Sequence, residues 1–99
     1  MVVEFSSDAG LSLARQSEVL EAIRESALPV SLVMILGPGV NAVDLKFIAY
    51  WLDALPWLQT RLSCLAFVAP RSGLRLAARG FAMACSVRQM PFPSEVFAD

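Results

Sequence analysis

Apolar residues along this chain gather in short runs, and turn residues separate each run from a stretch of three- and four-residue apolar spacing. Residues 29–36 carry Val30, Leu32, Val33, Met34, Ile35 and Leu36, followed by Gly37-Pro38-Gly39 and a helical pattern over 43–55. Residues 62–69 form a second such run. The turn at Pro70, Arg71, Ser72 and Gly73 leads from it into a helical pattern over 74–87. Ser94, Glu95, Val96 and Phe97 open one more run. Runs this short, bounded by Gly and Pro, read as strands, and strands alternating with helices build a parallel sheet. The chain is therefore predicted to be α/β, one small domain over residues 1–99 in a β-α-β-α-β-α-β arrangement. Its sheet is expected to be four-stranded and mostly parallel, with helices covering both faces.

The remaining pattern fills in the elements. Val2–Phe5 is a strand candidate, and Ser6, Ser7, Asp8, Ala9 and Gly10 supply turn chemistry, with Ser or Asp as a helix cap. Leu13, Gln16, Leu20, Ile23 and Ala27 recur at helical spacing, with Val19 widening the face. Arg15, Glu18, Glu21, Arg24 and Glu25 take the other side. In the second helix Asn41 or Asp44 sits near the amino end, and Leu45, Ile48, Leu52 and Leu55 make the inward stripe. Pro56 is expected to end or kink this helix after Leu55. Phe47, Tyr50, Trp51 and Ala54 then fall on flanking faces, with Trp57 beyond the proline. Either the sheet and a neighbouring helix cover these aromatics, or they form a partner surface. In the third helix Leu74, Ala77, Ala78, Phe81 and Cys85 face inward. Arg71, Arg75 and Arg79 make one basic line at four-residue steps.

At 99 residues the chain has room for one core, yet 57% of its residues are hydrophobic, against about 45–50% in ordinary domains. A sheet covered on both faces accounts for part of the excess, and surface shared between subunits for the rest, so a homodimer or higher homo-oligomer is expected. The net charge of −1 gives no field that would recruit nucleic acid. Residues 1–55 hold seven acids against three bases, and residues 56–99 five arginines against two acids, so the halves carry −4 and +3 and attract one another. From residue 26 to residue 43 there are 18 uncharged residues, close to membrane-spanning length. Pro29, Gly37, Pro38, Gly39 and Asn41 interrupt them, so a strand and turn are expected there and no membrane span. The amino end lacks a basic segment followed by an apolar one, so no signal peptide is expected. Cys64 and Cys85 lack close spacing or histidine partners and read as small buried hydrophobes, with the cytoplasm as the default location.

The chain contains no histidine, which removes Ser-His-Asp and Cys-His catalysis and most transition-metal sites. Its carboxylates are scattered. No catalytic residue, metal ligand or cofactor is assigned, and a non-enzymatic role is expected. Gly37-Pro38-Gly39 lacks the Lys-Ser/Thr ending of a phosphate loop. What remains is geometric: ligands of open parallel sheets bind beyond the carboxyl ends of the strands. The turns at 37–41 and 70–73 lie there, each opening a helix whose first amides are free to hold an anion. Gly37, Gly39, Asn41, Arg71, Ser72, Gly73 and Arg75 are thus candidates for binding a small anionic or amphipathic ligand. The competing reading is that these glycines only make turns and the arginines stay solvated.

Several of these stretches, taken in order, resemble the SpoIIAA-like branch of the STAS superfamily. They are the Val30–Leu36 strand, Phe67-Val68-Ala69-Pro70, the Arg- and Ala-rich helix with Ala78-Arg79-Gly80-Phe81, and the closing Glu95-Val96-Phe97-Ala98-Asp99. The resemblance covers roughly residues 10–99 and rests on pattern. It implies a compact, cytoplasmic, bacterial βα domain with a mixed sheet, used in regulation or partner binding without a reaction. Classical members carry a phosphorylatable serine in the loop after the central strand. Residues 37–44 hold no Ser or Thr, so that switch does not carry over. Many members also continue into a helix after the closing strand; here that helix is expected to be absent, shortened or supplied differently, and its absence would uncover apolar sheet surface and favour dimerisation. The expected role is a regulatory or protein-interaction domain that self-associates through the second helix, using Phe47, Tyr50, Trp51 and Trp57.

Overall fold

A computed structural model describes residues 1–98; Asp99, the end of the closing stretch named above, lies outside the described residues. Strands β1 (Val2–Phe5), β2 (Val30–Leu36), β3 (Leu62–Val68) and β4 (Ser94–Phe97) alternate with helices α1 (Leu13–Glu25), α2 (Leu45–Leu58) and α3 (Ser72–Val87). The strands form one sheet in the order β1-β2-β3-β4, and each neighbouring pair is parallel. The fold is the α/β series that the apolar runs predict. The mixed sheet that the STAS resemblance implies is not found, since all four strands run the same way.

A second expectation is also corrected: the helices cover one face of the sheet. Strand order follows chain order, so every crossover steps in the same direction, and right-handed crossovers then place every helix on the same side. Burial agrees with this geometry. Val3, Phe5, Leu32, Met34, Leu36, Leu65 and Phe67 are buried. Register pairs Val3 with Met34, Phe5 with Leu36, Leu32 with Leu65 and Met34 with Phe67, so they share one face. Ile23 of α1, Leu55 and Leu58 of α2, and Leu74 and Phe81 of α3 complete that core. The Phe67 and Phe81 rings meet edge to face, with centroids 5.9 Å apart.

Helix ends follow local chemistry. The stretch 6–10 forms a short 3-10 turn over Asp8–Gly10, and the cap of α1 is Ser12, whose hydroxyl accepts from the Arg15 amide at 3.1 Å. Asp44 caps α2, accepting from the Lys46 amide at 2.8 Å. Leu13 is exposed, and Ala27 lies beyond α1, leaving Gln16, Val19, Leu20 and Ile23 as its buried face. Helix α2 does not stop before Pro56 but runs through it to Leu58. A proline withholds the amide that would serve the carbonyl four residues earlier. Here that carbonyl, on Leu52, accepts instead from the Arg88 guanidinium at 3.1 Å. At the end of α3, Gln89 takes φ 58°, and the Met90 amide donates to the Cys85 carbonyl at 3.0 Å, closing the helix in a Schellman turn.

Candidate functional site

At the carboxyl ends of the strands the two turns do converge. The Arg71 guanidinium crosses to the Pro38 carbonyl, with Nε at 3.2 Å and Nη2 at 3.0 Å. Asn41 donates its backbone amide to Asp8 Oδ1 at 2.8 Å and its side-chain amide to Oδ2 at 3.0 Å. These bonds, followed by the charge of Arg71, hold the Asp8 carboxyl below its ordinary value of 3.8. Gly39 presses so closely on this loop that a Cβ there would overlap the Ser6 carbonyl oxygen. Gly37 lies beside the Phe5 carbonyl. Arg75 donates to the carbonyls of Ala69, at 3.0 Å, and Pro70, at 2.7 Å. The arrangement therefore brings Gly37, Gly39, Asn41, Arg71 and Arg75 together as a self-bonded clasp. Ser72 and Gly73 sit exposed in the first turn of α3.

The α2 aromatics divide. Trp51 is only 6% exposed, whereas Leu45, expected inside, is 79% exposed. Helix α2 is thus rotated from the expected orientation, burying Trp51, Ala54, Leu55 and Leu58. This orientation is accompanied by a polar bond that spacing does not reveal: Trp51 Nε1–H donates to Gln16 Oε1 at 2.8 Å inside the core. Phe47 and Trp57 are half-buried, and the Arg24 guanidinium lies 4.4 Å over the Trp57 ring. Of the four, Tyr50 alone is exposed. Trp51 is therefore withdrawn from the surface, while Tyr50 and, in part, Phe47 and Trp57 remain on it.

Two features outside these expectations stand out. The first is a cavity between α2 and α3, above β2 and β3, walled by Leu36, Phe47, Ile48, Trp51, Phe67 and Phe81 among others, with Gln16 at its edge. The signal for Gln16 was its place in an apolar helical stripe, where a glutamine is out of keeping. The second is the sheet face that, among the described residues, no helix covers. Register lines up Val2, Val33, Ala66 and Glu95 in one row across the four strands, and Glu4, Ile35, Val68 and Phe97 in the next. Val33, Ile35, Ala66 and Val68 are part-exposed, while Val2 and Phe97 are 67% and 45% exposed. Cys64 belongs to this face and is part-exposed, contrary to its expected burial, because β3 turns it away from the helices. Cys85 is buried in α3, and that burial pushes its thiol pKa up.

Among the described residues, no three His, Cys, Asp or Glu side chains gather as a metal-ligand set, and no helix is long and apolar enough to cross a membrane. The fold and its surfaces define a small parallel α/β domain with helices on one side. No family model, curated protein or solved structure matches the chain.

Proposed function

We propose that this chain is a non-catalytic interaction domain of STAS-like type that pairs with a second copy of itself through the open face of its sheet. The observation that carries the reading is the uncovered apolar centre formed by Val33, Ile35, Ala66 and Val68. Parallel sheets are ordinarily buried on both faces, and two sheets pack well face to face at roughly 10 Å. The pattern of this face is self-complementary. A two-fold axis parallel to the strands lays Ile35 of each copy over Val68 of the other, and Val33 over Ala66. It sets Glu4 against Phe97 and Glu95 against Val2, so no acid stacks directly on another. The contact would account for the 57% hydrophobic content of so short a chain.

Sedimentation velocity of wild type, Ile35→Lys and Tyr50→Ala tests the reading. Wild type is expected to be a dimer across the micromolar range. Ile35→Lys should be a monomer with unchanged helical circular dichroism, and Tyr50→Ala should remain dimeric. A monomeric wild type refutes self-association. A dimer broken by Tyr50→Ala but not by Ile35→Lys moves the contact to α2 and refutes the sheet-face assignment.

A further inference from the structure

Helix α3 turns Leu74, Ala78, Phe81 and Cys85 into the core, yet it also keeps large apolar residues on its outer side. Leu76, Met83 and Val87 are 71%, 68% and 77% exposed. With Gly73 and Gly80 they recur at steps of three and four residues, the spacing that sets side chains in a single row along a helix. The row is notched. A Cβ at Gly80 would meet nothing within 4 Å, so bare backbone shows between Leu76 and Met83. Glycine inside a helix is unfavourable, and alanine would fit the same space. A gap of this kind is where a facing helix inserts a side chain.

The charge beside the row has one sign. Helix α3 contains no Asp or Glu, whereas Arg75 and Arg79 lie within it and Arg71 and Arg88 at its two ends. Arg79 stands beside the row, between the levels of Leu76 and Met83, and Arg75 lies one turn earlier. Both ion pairs among the described residues are within α1, so none of these arginines has a carboxylate partner there. Arg71, Arg75 and Arg88 donate to carbonyls of their own chain, which leaves their charge uncompensated.

Together the apolar row and the basic flank select the occupant. A second α3 has the row but brings only arginines to the flanks, where like charges repel. The α1 of a second copy has acids, but beyond Leu13 its exposed face carries no large apolar residue. A helix lying on a membrane sinks a broad apolar face into the lipid. The broad apolar face of α3 is in the core, and lipid has no side chain to fit the notch at Gly80. We infer that the outer face of α3 is a docking surface for an acidic amphipathic helix of another protein. One large apolar side chain of that helix seats on Gly80 between Leu76 and Met83, and a carboxylate beside it pairs with Arg79. The surface belongs to the helix layer, away from the open sheet face, so it stands whether or not the chain pairs with itself.

The experiment is an NMR titration of the ¹⁵N-labelled full chain with synthetic three-heptad peptides that carry Leu at the seam positions. One peptide has Glu at the flanking positions and the other Lys, so that neither pairs with itself. Vesicles of phosphatidylcholine and phosphatidylserine are the third probe. The Glu peptide is expected to shift the amides of Leu76, Gly80 and Met83 saturably and to bind about tenfold tighter than the Lys peptide. Met83→Glu, a change at an exposed position, should weaken the Glu peptide about tenfold, and Arg79→Glu should reverse the preference between the two peptides. Gly80→Leu fills the notch with a better helix former, so it should keep the fold and weaken the Glu peptide. A Glu peptide that binds no tighter than the Lys peptide, or whose shifts fall outside α3, overturns the inference. So does undiminished binding to Gly80→Leu. Vesicles that shift the α3 amides while the Glu peptide does not would assign the surface to lipid and overturn it as well.

Discussion

Replacing Gly39 by alanine tests whether the clasp at the carboxyl ends of the strands is a rigid structural device. A Cβ at this position would overlap the Ser6 carbonyl oxygen and stand 3.1 Å from the Ser6 carbonyl carbon. Both are backbone atoms, so no side-chain rotation relieves the overlap; the loop after β1 or the turn after β2 must move. Overpacking that forces a backbone shift typically costs about 1–3 kcal/mol. Taking about 2 kcal/mol, the melting temperature of a domain this size should fall by roughly 8–16 °C. Thermal unfolding followed by circular dichroism reads the loss, and the Asn41 amide signal reports whether its bonds to Asp8 have opened. Gly37→Ala is the natural comparison, because its Cβ would lie 3.1 Å from the Phe5 carbonyl oxygen, close but not overlapping. It should lose less. If Gly39→Ala stays within about 0.5 kcal/mol of wild type, the loops are free to part and the clasp reasoning fails.

Two further predictions concern the same framework. Gly80 lies inside α3, and a Cβ there would meet nothing within 4 Å, so Gly80→Ala should stabilise the chain by about 0.8–1 kcal/mol in urea unfolding. A loss of stability would mean that this face of α3 is covered. Asp8 has a lowered pKa in the folded chain, so its contribution is full above 3.8 and is lost as the pH falls below that value through the folded one. Stability measured down that range should drop less steeply in Asp8→Asn than in wild type; parallel curves would refute the assignment.

The strands were legible in the sequence because β2 and β3 are apolar on both alternating sets of positions, which leaves little doubt where they start and stop. The inward face of α3 was equally legible: Leu74, Ala78, Phe81 and Cys85 are all buried as spaced. The orientation of α2 was not, and the bond that accompanies it joins Trp51 to Gln16, a residue 35 positions earlier. Nor was the passage through Pro56, which depends on an arginine after α3 serving the stranded Leu52 carbonyl. Candidate site residues suffered from the same limitation. Arg71, Arg75 and Asn41 had the right chemistry for an anion and the right location, but their donors face carbonyls and a carboxylate of their own chain. The one-sided helix layer followed from strand order, which periodicity does not specify.

That strand order bears on how the chain is made. Each strand has as its sheet neighbours only the strands immediately before and after it in sequence. A growing chain emerging from the ribosome amino end first can therefore complete β1-α1-β2, then add α2-β3, then α3-β4, without reserving a gap for a strand still to be synthesised. Each addition closes a loop of one helix and its turns, which keeps the entropic cost of pairing parallel strands modest. The last strand, β4, carries the opposite edge of the sheet and takes its place after the other three. Premature termination before it would leave β3 as an unpaired apolar edge, the form of this protein most exposed to aggregation.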